Sequence, residues 1–83
     1  MCIRDSSNDE LFDASLELAS RLAKGATQSH ALTKYLVQKS LSMDLEESLE
    51  LALVAQEQVR RTEDHKEAVQ AFLEKRPALF KGR

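Results

Sequence analysis

Glu46-Glu47 and Glu63-Asp64 set carboxylates side by side, the pairing that general acid/base chemistry calls for. Both also fall where a helix is predicted to begin. A helix start attracts acids on its own account, because they accept hydrogen bonds from the free amide N–H groups and meet the positive end of the macrodipole. Capping accounts for both pairs, and no catalytic residue is assigned. The histidines, His30 and His65, stand far apart with no second histidine or cysteine at ligand spacing, so no metal site is assigned either. One further pair has a chemical use. Phe72 and Lys75 lie three residues apart and so share a helix face, from which a ring can pack on a planar heterocycle while an ammonium meets a phosphate. On spacing alone the pair reads more simply as a core aromatic and a solvated cation near a helix C-terminus, since apolar-x-x-Lys recurs on most amphipathic helices.

The elements that must position these residues are helices. With 2 glycines and 1 proline, and few aromatic or β-branched residues, the chain offers little strand or hairpin chemistry and many strong helix formers. The fold class predicted is all-α, with about four helices. The first runs from about Asn8 to Lys24, capped by Ser7 with Glu10 reaching back and stopped by a left-handed Gly25; its stripe is Leu11, Leu18 and Leu22 with Ala19 and Ala23. The second runs from about Gln28 to Leu41, with Leu32, Tyr35, Leu36 and Val37 beside Ala31. Asp44 and Glu47 form a capping box for a third helix, which continues to about Arg61 through Leu45, Leu49, Leu53 and Val59. Thr62 or Glu63 breaks it. A further box, Asp64 with Glu67, opens a fourth helix that ends at Arg76-Pro77, where proline disfavours helical geometry in the preceding residue. Internal repeats, low-complexity stretches and linkers are absent from the sequence.

Composition limits the partners. A net charge of −2 with 31% charged residues favours no strongly charged partner, and no apolar run approaches the roughly 20 residues of a membrane helix. The basic tail, with Lys75, Arg76, Lys81 and Arg83, is short and lacks a recognition helix, so neither nucleic acid nor membrane is expected as a partner. A soluble, cytoplasmic protein is the default expectation. A chain of 83 residues supports at most one domain, and at this size only about 60% of the unfolded surface is buried on folding.

The last twenty-one residues, from Glu63-Asp64-His65-Lys66-Glu67-Ala68-Val69-Gln70-Ala71-Phe72-Leu73-Glu74-Lys75-Arg76-Pro77 to Arg83, resemble the C-terminal signature of the enoyl-CoA hydratase/isomerase (crotonase) family. There an acidic helix start leads through Glu-Gly-Val/Ala-x-Ala-Phe-x-x-Lys-Arg to Pro-x-Phe. The resemblance spans about Leu16 to Arg83 and is strong after Glu63. Ala68 replaces the usual glycine, and Ala31-Leu32-Thr33-Lys34 and Gln56 are weaker matches upstream. At the other end, Met1-Cys2-Ile3-Arg4-Asp5-Ser6 resembles a translated sequencing-library adapter; residues 1–6 are therefore set apart from a helical segment at residues 7–83, and the single cysteine goes with them.

The resemblance implies the C-terminal helical segment of a crotonase-like fold without its spiral α/β core. It implies a parent acting on acyl-CoA thioesters, with no prosthetic group, through an oxyanion hole of two backbone N–H groups and carboxylates that move protons. No stretch here resembles those parts. It implies that Phe72 and Lys75 contribute to the site for the coenzyme A moiety, the ring against adenine and the ammonium against a nucleotide phosphate. Arg76 and Lys81 would add to the positive field. The partners implied are the catalytic core and neighbouring subunits, as a homotrimer or dimer of trimers. The alternative is an independent helical-bundle interaction module.

Overall fold

The computed structural model describes residues 4–83; Met1, Cys2 and Ile3, half of the adapter-like segment, lie outside the described residues. Four helices follow one another: α1 (Leu11–Ala23), α2 (Thr27–Ser40), α3 (Leu45–Arg60) and α4 (Glu63–Glu74). Among the described residues there is no strand. The helix count is as expected from the sequence, and the boundaries of α2 and α3 fall within a residue of the expected ones.

The helix ends divide into those that follow local capping rules and those that do not. Asp44 caps α3 as expected: its Oδ1 accepts from the Glu47 amide at 2.9 Å, and Glu47 Oε2 accepts from the Asp44 amide at 3.3 Å. At α1 the expectation fails. The Ser7 hydroxyl donates to Glu10 Oε2 at 3.0 Å rather than accepting from an amide, residues 8–10 form a turn, and the helix starts only at Leu11. Gly25 is not left-handed. A side chain there would run into the His30 ring, with Nε2 only 2.9 Å from the Cβ position, so close approach is what requires the glycine. At α4 the expected Asp64–Glu67 box is absent: Thr62 Oγ1 accepts from the His65 amide at 3.1 Å and donates to the Val59 carbonyl at 2.7 Å, which ends α3 and starts α4 with one side chain.

Asp64 and Glu67 are thereby free to hold the tail, residues 77–83, back along α4. The Asp64 carboxylate is buried and accepts from two successive backbone amides, Lys81 at 2.7 Å and Gly82 at 2.9 Å, while its own amide donates to the Arg83 carbonyl at 2.8 Å. Glu67 Oε1 accepts from the Leu79 amide at 2.9 Å. Gly82 has a φ of 75°, and its missing Cβ would sit 2.8 Å from Thr27 Oγ1, so both conformation and space demand glycine. Its carbonyl accepts from Gln28 Nε2 at 3.1 Å, which ties the tail to the start of α2.

Packing between helices is sequential: α2 lies mainly on α3, while α1 touches only α2 and α4 touches only α3. The result is a layer with extents of 43 × 39 × 19 Å. Its radius of gyration is 16.1 Å, where a globule of this length has about 12 Å. Its surface of 7314 Å² compares with roughly 5,000 Å² for a folded monomer of this mass. Ala55 and Ala71 are the buried apolar residues among those described. On α3 the face turned to its neighbours carries Ser48, Leu51, Ala52, Ala55 and Val59, whereas the predicted stripe of Leu45, Leu49 and Leu53 is exposed. On α2, Leu32 and Leu36 are half-buried, but Tyr35 and Val37 are exposed. The larger apolar side chains thus form a second face that none of the described residues covers, a surface of the kind that marks an interaction site.

Sedimentation velocity on the chain alone is expected to show self-association, relieved when Leu49 and Leu53 are both changed to lysine. A monomer with a sharp cooperative melt would contradict the open layer described above.

Acid should loosen the tail. The Arg76 guanidinium, bonded to Glu67, together with the Leu79 amide, holds the Glu67 pKa down to about 2 from 4.5. Because the folded value lies below the unfolded one, this contribution is complete above about pH 4.5 and is lost as pH falls through 2. In the Leu49→Lys, Leu53→Lys background, the Leu79 amide resonance is expected to titrate with a midpoint near 2, and Glu67→Gln should abolish that step. A midpoint at the ordinary carboxylate value would show that the clasp does not form.

Candidate functional site

α4 carries a different group on each of its faces. Asp64, Ala68 and Ala71 follow one another at helical spacing and turn inward, and Val69, Phe72 and Leu73 form an apolar stripe that turns outward. Phe72 is 82% exposed, so the simple reading of it as a core aromatic does not hold within this chain. Lys75 follows one turn later and is also exposed. Both residues are accessible near the C-terminal end of α4, but Lys75 lies just past the last helical residue, so the shared helix face expected from their spacing does not extend to it.

The backbone at Lys75 has a left-handed conformation, φ 54° and ψ 41°, and it is the one non-glycine residue at positive φ among those described. Its amide donates to the Phe72 carbonyl at 3.2 Å and the Arg76 amide to the Ala71 carbonyl at 3.0 Å, the paired bonds of a Schellman stop. Glycine suits that position, and an L-residue there costs about 1–2 kcal/mol. The helix consequently ends at Glu74, one turn ahead of the proline that was expected to end it.

Arg76 does not add to a phosphate field as the sequence suggested. Its Nη1 and Nη2 grip Glu67 Oε1 and Oε2 at 2.6 and 3.1 Å, and its Nε meets Glu74 Oε2 at 2.5 Å. Two carboxylates on one side of α4 thus consume its charge and raise its pKa, with Glu67 the larger influence. The Glu74 carboxyl is held below its usual range by its bond from the Gln70 amide and then by Arg76. Arg83 is likewise engaged, with Glu63 at 2.9 Å. Lys66, Lys75 and Lys81 make no ion pair among the described residues, and Lys81 lies near enough to Glu67 to help lower its pKa.

The weaker candidates are not gathered here. Lys34 is exposed on α2, which makes no contact with α4, and Gln56 is exposed on α3. His65 is half-buried in the first turn of α4 and His30 lies against Gly25, and no cluster of metal-ligating side chains exists among the described residues. None of the helices described is long and apolar enough to cross a membrane. A shallow cavity of about 430 Å³ lies between α4 and the tail, lined by Glu63, Lys66, Gln70, Leu79 and Lys81 around the two tail-binding acids. Those acids are already satisfied by the tail. Sequence reasoning missed the Arg76 grip, although Glu67 and Glu74 are seven apart, on one side of the helix, and an arginine follows just beyond its end.

The arrangement matches known proteins closely. The model of the enoyl-CoA hydratase/isomerase family covers residues 4–83. A Thermus thermophilus protein grouped with the enoyl-CoA hydratases is 46% identical over 63 residues, which are 76% of this chain and 25% of that protein. Among solved structures, an enoyl-CoA hydratase/isomerase from Mycobacterium paratuberculosis superposes with a TM-score of 0.87 at 32% identity over 94% of this chain and 31% of that one. An enoyl-CoA hydratase from Bacillus anthracis gives 0.85 at 29% identity over 94% and 30%. The chain spans about a quarter of the length of the curated relatives it matches. With four helices in the same arrangement and the match running through α4 and the tail, the chain belongs to the enoyl-CoA hydratase/isomerase family, and its fold is the C-terminal helical segment of the crotonase fold.

Proposed function

We propose that this chain serves an enzyme acting on acyl-CoA thioesters, contributing subunit packing and part of the coenzyme A site while the catalytic groups lie in the part of the family fold that it does not span. The single observation that carries this reading is the end of α4. Phe72 on α4 and Lys75 at its C-cap stand exposed three residues apart in a segment that the family match covers, the ring uncovered and the ammonium without an ion pair among the described residues. An aromatic face and a free cation at that spacing suit the adenine and phosphates of a nucleotide.

The wider surface supports the packing role. Leu45, Leu49 and Leu53 on α3, and Val69 and Leu73 on α4, are exposed at helical spacing, as befits faces that rest on a catalytic core or a neighbouring subunit. An independent interaction module would need a core of its own, and the buried apolar side chains among the described residues are two alanines.

The chain alone is expected to leave crotonyl-CoA unhydrated; turnover that scaled with the amount of chain would refute the division of labour. The site itself is tested in a chimera in which this chain replaces the matching segment of the Thermus thermophilus relative. There Lys75→Ala should raise KM for the CoA ester about fivefold, the equivalent of ~1 kcal/mol for a partly exposed ion pair, with kcat nearly unchanged. The penalty should shrink in high salt and for a pantetheine ester, which lacks the nucleotide. Phe72→Ala should also spare the pantetheine ester, with little salt dependence. Equal effects of Lys75→Ala on both esters, or none, would remove the lysine from the site.

A further inference from the structure

Lys75 occupies a backbone conformation that its residue type resists, and side chains of α4 and Arg76 surround the turn. The Arg76 fork reaches back over the left-handed residue to Glu67, two turns earlier on α4, and its third nitrogen closes on Glu74. Glu67 also accepts from the Leu79 amide, and Arg76 Nη1 donates to the Pro77 carbonyl at 3.2 Å, so the segment that follows the turn is fastened back to a carboxylate of the helix before it. Rotation of residue 75 into the right-handed region would continue the helix and carry Arg76 around the axis, away from Glu67. Pro77 opposes the same rotation, because it disfavours helical geometry at Arg76.

We propose that Arg76, gripped by Glu67 and Glu74, is a positioning residue: it holds Lys75 in the left-handed turn and so fixes where the lysine stem leaves the end of α4 beside Phe72. Arg76 touches no ligand in this scheme. Its charge is already matched, and it acts only through the geometry of its neighbour. A glycine at position 75 would make the turn without help; the clasp is what allows a long cationic side chain at a site otherwise suited to glycine. The inference rests on the reading of Lys75 as a coenzyme A contact.

Two measurements test it. The first is amide exchange by mass spectrometry on the full chain, over a peptide spanning residues 71–76. Arg76→Gln should accelerate exchange about five- to thirty-fold, the ratio that corresponds to the strain of one left-handed L-residue, and the acceleration should largely vanish in a Lys75→Gly background. Equal acceleration in both backgrounds, or none in either, would overturn the inference, because the clasp would then not act on residue 75. The second is KM for the CoA ester in the chimera. Arg76→Gln should raise it with kcat unchanged and should add nothing once Lys75 is alanine; an effect that persisted without the lysine would show Arg76 acting on its own account and sink the proposal. Arg76→Lys, which keeps the charge but loses the fork, should behave as Arg76→Gln. If Lys75→Ala leaves KM unmoved, the site reading fails; if it raises KM while Arg76→Gln does not, only the positioning role fails.

Discussion

A carboxylate that accepts from two consecutive backbone amides, as Asp64 does from Lys81 and Gly82, sets the geometry of everything beyond α4. The helices touch only their sequence neighbours, so local packing gives the chain a path but not a closure. Closure comes through the tail: Asp64 and Glu67 seat it on α4, and Gln28 reaches its far end from the start of α2. The same hydrogen bonds satisfy amides of an irregular segment that has no ladder or helix to pair with. Thr62 makes this possible by capping α4 itself, which releases Asp64 from the duty its position in the sequence suggests.

The chemistry of α4 follows from this allocation of charge. Of its acids, Glu63 engages Arg83, Asp64 the tail amides, and Glu67 and Glu74 the fork of Arg76. Lys75, next in sequence to Arg76, has no ion pair among the described residues and is presented on a left-handed residue three positions after an uncovered ring. Neighbouring cations of the same sign thus have opposite uses: one is neutralised to shape the backbone, and the other keeps its charge for a ligand.

Much of this was legible in the sequence, for reasons that differ by element. The α3 start was readable because Asp44 and Glu47 interact with each other alone, and Thr62 was readable as a break. The Asp64–Glu67 box was misread because capping boxes are defined locally, while both acids here are claimed by residues beyond the end of the helix. Gly25 was read as a conformational stop, yet what it provides is room for His30, which no local rule contains. The leucines of α3 were found at the right spacing, and their exposure follows from a limit of periodicity, which locates an apolar stripe but does not say whose surface covers it. Phe72 and Lys75 were picked out by resemblance; the sequence offered no sign that Lys75 would carry a positive φ, since lysine is a poor choice for it.

The tie from Gln28 to Gly82 imposes an order of events on folding. Its partners are separated by 54 residues, whereas the side-chain capping bonds of α3 and α4 span three, so the helices can form within microseconds from contacts close in sequence. The tie cannot form until α2, α3 and α4 have laid out the path between its ends, and by then most of the closure entropy has already been surrendered to helix formation and packing. Its role is accordingly that of a latch set last, which registers that the three helices have reached their mutual arrangement rather than driving them into it.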